Sequence, residues 1–139
     1  MDMRAVVIND AVEIEASMSN FLAKILKIEV DQQRKELPLE YLPFEHKCLI
    51  LKDMAVIPKE LFIKLTFFAE IRNKFCHNIH IKSLEDSLGH TSNGRLKKLT
   101  QLYPPDPALD AHEQLHNIYA RLTHELKHFC SELKPLEQA

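Results

Sequence analysis

At 139 residues the chain suits one domain, 1–139, with enough length to bury a real core. Hydrophobic residues make up 45% and charged residues 27%, an ordinary globular balance that excludes an extended, disordered or fibrous class. A net charge of −2 excludes a global basic signature, so any contact with nucleic acid needs a local basic patch.

The two glycines are too few for a phosphate-cradling loop or a dinucleotide fingerprint, and they argue against tight hairpins. No apolar run is long enough to span a membrane. The N-terminus, Met1 to Ile8, is too short and too acidic for a secretory signal. Cys48, Cys76 and Cys130 form no CxxC pair, and each falls in an apolar helical pattern. They read as buried thiols in a reducing compartment, so a cytoplasmic protein is expected.

In chain order, Asp10 with Glu13 resembles a capping box and predicts a helix starting near Asn9 or Asp10. Ile14, Met18, Phe21, Ile25 and Ile28 form its stripe, with Leu22 and Leu26 widening it. The pattern allows this helix to run to about Lys35, roughly 40 Å at 1.5 Å per residue. Pro38 and Pro43 bound a loop. A second helix is expected from Pro43 to Met54, with Phe44, Lys47, Cys48, Leu51 and Met54 on one side.

Pro58 opens a third helix, expected to end near Ile79. Its stripe, Leu61, Leu65, Phe68, Phe75 and Ile79, passes through Arg72. An arginine on an apolar stripe is costly unless it is paired or faces another surface. Glu70, Glu13 and Glu15 are its candidate partners, and a second chain is the alternative. One short turn is expected around Leu84, then a loop across 89–94 and a short helix over Arg95 to Tyr103. The last helix is expected over Ala108 to Leu133, on the stripe Ala111, Leu115, Ile118, Leu122, Leu126, Phe129 and Leu133. No stretch alternates with period two for long enough to be a strand. The expected fold is all-α, an up-and-down bundle of about five helices.

The run Ile71-Arg72-Asn73-Lys74-Phe75-Cys76-His77 carries an R-x4-H pattern with a polar residue straight after the arginine. Together with the long first helix and the loop, short helix, turn and long helix from Pro43 to Asn78, it resembles the HEPN superfamily. The closest pattern is that of the mannitol-operon repressor family and related small bacterial HEPN-like proteins. The resemblance covers about residues 10–80, and the last helix more loosely. It implies a helical bundle that forms a homodimer with two R-x4-H motifs meeting across a cleft. It also implies either a metal-independent endoribonuclease of a toxin–antitoxin or defence system, or a non-catalytic regulator acting through protein contacts. No cofactor is expected. The implied partners are a second copy, RNA, and a cognate antitoxin or regulatory protein.

The residue chemistry fits the first of these. Cleaving RNA without metal requires activation of a 2′-hydroxyl, stabilisation of a dianionic phosphorane and protonation of a leaving oxygen. His77 suits proton transfer, Arg72 holds two phosphate oxygens at once, and Asn73 can orient the histidine or bind phosphate. Lys74, His80 and Lys82, with Lys64, supply nearby positive charge. On an ideal helix Arg72 and His77 lie roughly 140° apart, so a two-fold partner or a helix ending near His77 is needed to bring them together.

A second motif competes. His112-Glu113-Gln114-Leu115-His116 spells H-E-x-x-H, the zincin pattern, with Glu132 and Glu137 as candidate third ligands. The strands that accompany that pattern in a zinc hydrolase are missing from the sequence reading. His124 and His128 repeat the spacing and read as a solvated helix face.

Overall fold

The first helix begins at Met3, not near Asp10. The computed structural model describes residues 2–26, 42–89, 95–104 and 106–132. Helix α1 is Met3–Ile25, capped by Asp2, whose carboxylate accepts the Arg4 backbone N–H at 3.0 Å. The stripe that starts at Ile14 in the sequence reading extends back through Ala11, Val7 and Met3, all buried. Asp10 is therefore mid-helix. Its carboxylate accepts the Tyr119 hydroxyl at 2.6 Å and the Lys127 ammonium at 2.6 Å. The expected continuation to Lys35, Asp31 to Glu36 and Pro38 lie outside the described residues.

Helix α2 is Phe44–Asp53, and α3 is Lys59–His77. Between them Ala55 has φ 57°, the left-handed region. The Ala55 N–H bonds the Lys52 carbonyl at 2.9 Å and the Val56 N–H bonds the Leu51 carbonyl at 3.1 Å. This is a Schellman ending with alanine where glycine is the favoured residue. Helix α3 buries Leu65, Phe68 and Phe75 on the expected stripe. The helix stops at His77, so Ile79 is not the end of that stripe but 77% exposed.

Helices α4, Leu84–Gly89, α5, Arg95–Leu102, and α6, Ala111–Glu132, complete the described chain. The described residues hold six helices rather than about five, because the turn expected around Leu84 closes into a helix of its own. They form an all-α bundle with no strand among them. Helix α1 packs on α2, α3 and α6, and α3 packs on α2, α4 and α6, so α1, α3 and α6 make the central layer. Along α6, Ile118, Leu122 and Leu126 are buried, whereas Ala111 is exposed.

Tyr103, 1% exposed, fastens the end of α5 to α6 and α3. Its hydroxyl donates to Glu125 at 2.7 Å, and Lys64 donates to the same oxygen at 2.7 Å. Arg121 lies 5.0 Å from the Tyr103 ring centroid. Cys48 and Cys130 are buried as expected, but Cys76 is exposed, since it points about 100° away from its buried neighbour Phe75. Burial raises the Cys48 thiol to about 12 and the Cys130 thiol to about 11, which leaves both chemically quiet. No helix among the described residues is long and apolar enough to cross a membrane.

Candidate functional site

Arg72 is reconciled with the bundle by a carboxylate from α1. Its Nη2 lies 3.9 Å from Glu15 Oε2, while Nη1 donates to Asn73 Oδ1 at 3.0 Å. Among the candidate partners, Glu15 is placed beside Arg72. The same Glu15 accepts from Lys47 at 2.9 Å, and Lys47 is 1% exposed on α2. Asn73 in turn donates its amide N–H to Glu45 of α2. A continuous polar ladder, Lys47–Glu15–Arg72–Asn73–Glu45, thus ties α1, α2 and α3 together. Lys47 lies on the same side as Phe44, Cys48 and Leu51, as expected, and is buried with them because Glu15 offsets its charge.

The outer side of α3 opens onto a cleft of about 550 Å³. Asn73, Lys74, His77 and Asn78 line it from α3 and its cap, with Glu70 on the same helix and Glu45 across on α2. A smaller cavity of about 220 Å³ shares Glu45, Thr66 and Ala69 and is lined further by Leu49 of α2 and Phe62 of α3. The two adjoin between α2 and α3 at these shared residues, with Leu49 and Phe62 lining the one and His77 the other. His77 is exposed and is the last residue of α3.

The predicted site residues therefore divide. Asn73, Lys74 and His77 come together in the cleft. Arg72 does not line it, in keeping with the divergence expected along a helix. His80 and Lys82 are exposed in the segment after α3, outside the cleft lining. Their backbone N–H groups are taken by the Asn78 side chain at 2.9 Å and by Asp86 at 3.3 Å.

Residues that the sequence reading did not single out complete the setting. Arg4 of α1 donates to the carbonyls of Phe75, Asn78 (3.1 Å) and Ile81 (2.8 Å). A guanidinium thus satisfies the carbonyls at the end of α3, where the helix dipole favours positive charge. Asn78, the C-cap, is extended, with φ −136° and ψ 109°. No sequence signal links Arg4 to carbonyls more than seventy residues away, because carbonyls carry no residue identity.

The H-E-x-x-H segment lies elsewhere, at the start of α6. His112 Nδ1 is 2.5 Å from Glu85 Oε1, and the His112 and His116 rings lie 4.3 Å apart between centroids. Ligand atoms of Glu85, His112 and His116 all lie within 4.8 Å of one another. Among the described residues the carboxylate beside the two histidines is thus Glu85 from α4, not Glu132. Glu132 sits at the far end of α6, 3.1 Å from His128, and Glu137 lies outside the described residues. Glu113 is not part of the cluster, and its backbone N–H is capped by Asp110 at 2.8 Å. Burial pushes the Glu85 carboxyl up, but its own backbone N–H and His112 outweigh that and hold it below its ordinary value.

The chain matches no family model, no curated protein and no solved structure.

Proposed function

We propose that the protein is a HEPN-like module that acts as a homodimer and faces RNA at the α2–α3 groove, as a metal-independent endoribonuclease of the toxin or defence kind. The observation that carries this reading is the position of His77. It stands exposed at the end of α3 on the wall of a 550 Å³ cleft, beside Asn73 and Lys74. Arg72 lies outside that wall, so a two-fold partner is the element that brings an arginine to each histidine.

In such a composite cleft one imidazole takes the proton of a 2′-hydroxyl. The 2′-oxygen attacks phosphorus, and the bond to the 5′-oxygen breaks. The proton so taken is relayed through water to the leaving 5′-oxygen. Arg72 holds the non-bridging oxygens as their charge develops. The products are a 2′,3′-cyclic phosphate and a free 5′-hydroxyl.

A second reading draws on a different observation. Glu15 and Glu45 already engage Arg72 and Asn73, and Glu45 and Glu70 stand in the cleft wall. Carboxylates so placed oppose a phosphate backbone. They suit a non-catalytic regulator that binds a protein along the groove, as in the mannitol-operon repressor resemblance.

Incubation of EDTA-treated protein with total RNA separates the two. The ribonuclease reading expects cleavage with cyclic-phosphate ends, lost in His77→Ala and in Arg72→Ala. RNA cleavage and growth inhibition that persist in both variants sink it. A wild-type dimer that leaves RNA intact favours the regulator.

A further inference from the structure

We propose that Glu85, His112 and His116 form a binding site for a zinc-type divalent metal ion that fastens α4 to α6. This goes beyond the reading of the α2–α3 groove and does not depend on it.

Three observations converge. His112 and His116 are four apart on α6, so both imidazoles rise from one helix face, with ring centroids 4.3 Å apart. Glu85 reaches the same point from a different helix and touches His112 at 2.5 Å. The donor atoms of all three lie within 4.8 Å of one another. Tetrahedral zinc with donors near 2.0–2.1 Å sets its ligand atoms about 3.3 Å apart, a spacing within reach of small side-chain rotations.

The donor set selects the class of ion. Two imidazole nitrogens and one carboxylate suit zinc and its neighbours, whereas calcium and magnesium take oxygen ligands. Three protein ligands with His112 largely exposed leave the fourth position to water.

The geometry also separates this site from a zincin. Glu113, the general base that the sequence pattern would supply, is not among the clustered residues. The third ligand comes from α4, which precedes the motif. The ion's role is therefore a clip. Helix α4 has six residues, too short to hold its shape alone. Its anchors are buried Leu84 and Ser87. A metal bridge from Glu85 to α6 adds a fixed link at its first turn.

The test uses tag-free protein stripped with EDTA, dialysed and titrated with zinc chloride by calorimetry, with cobalt chloride as a visible-absorption probe. One equivalent of zinc should bind per chain, and the Tm should rise by several degrees in excess zinc. Glu85→Gln, His112→Ala and His116→Ala should each weaken binding by at least about tenfold, the loss that outer-shell changes alone cause at metal sites. Circular dichroism before titration establishes that each variant is folded. His124→Ala/His128→Ala, a double variant at the other histidine pair, should bind zinc like the wild type. Absence of binding, binding unaffected by Glu85→Gln, or binding lost only in the His124/His128 variant overturns the proposal.

Discussion

The Lys47 ammonium, buried on α2, lies 2.9 Å from the carboxylate of Glu15 on α1. A lysine at 1% exposure is tolerable only with such a partner. Glu15→Ala removes that partner and should cost about 3 kcal/mol, near the low end for a broken buried pair because Glu15 is partly solvated. Lys47→Met keeps the stem volume and leaves Glu15 next to Arg72, so it should cost less than about 1 kcal/mol. Urea unfolding of the two variants measures the difference, and equal losses would contradict this account.

Ala55 ends α2 in a left-handed conformation that disfavours any side chain with a β-carbon. Ala55→Gly should stabilise the protein by about 0.5–1 kcal/mol, the left-handed strain less the entropy that glycine adds to the unfolded chain. A rise in the urea midpoint at unchanged slope is the expected result. A fall would mean that the turn is formed differently in solution.

Lys64, Glu125 and Tyr103 give the stability a defined pH window. Burial raises the Glu125 carboxyl, but hydrogen bonds from Lys64 and Tyr103 outweigh it and hold it below its ordinary 4.5. That contribution is full above 4.5 and fades as pH falls through the lowered value. Burial lowers Lys64, but Glu125 and Glu60 outweigh it and hold it above 10.5. Its contribution is full below 10.5 and is lost as pH rises through the raised value. Glu125→Gln should therefore lower stability most between about pH 5 and 10 and flatten both flanks, by about 1 kcal/mol or less because the pair is partly exposed. Tm measured across pH checks the shape, and a uniform drop at all pH values would exclude the linkage.

The proposed composite cleft has its own signature. His77→Ala and Arg72→Ala proteins, each inactive alone, should regain activity when unfolded together and refolded as a mixture. Random pairing restores one intact site in half of the dimers, about a quarter of wild-type sites. Recovery of nothing would place both residues of a site on one chain or remove the dimer from the mechanism.

The helices were legible where a single stripe set them. Ile118, Leu122 and Leu126 marked α6, and Leu65, Phe68 and Phe75 marked α3, because burial repeats with the helix period. The sequence hides the start of α1 because Asp10 followed by Glu13 imitates a capping box, whereas Asp10 pairs with Tyr119 and Lys127 of α6, distant in sequence and adjacent in the bundle. Periodicity carries no signal for such pairings. Arg72 was legible as an anomaly, yet its partner was not, since Glu13 and Glu15 differ only in which side of α1 they occupy. Glu85 was missed beside His112 because a short turn in the sequence gave no reason to expect a helix there. Ala55 was invisible for another reason. A helix end at Met54 is expected, but an alanine after it gives no sign of the left-handed turn that glycine would announce.

The reach of α1 has a consequence for assembly on the ribosome. Arg4 finds all three of its acceptors by the time Ile81 has been made, so one end of α1 can lock onto α3 early. Asp10, 13% exposed at its side chain, has to wait for Tyr119 and Lys127. Until α6 emerges, a nascent chain carries a half-matched first helix whose Asp10 carboxylate stays in water, its two protein partners not yet made. The last long helix thus acts as the latch that commits the bundle to its final form.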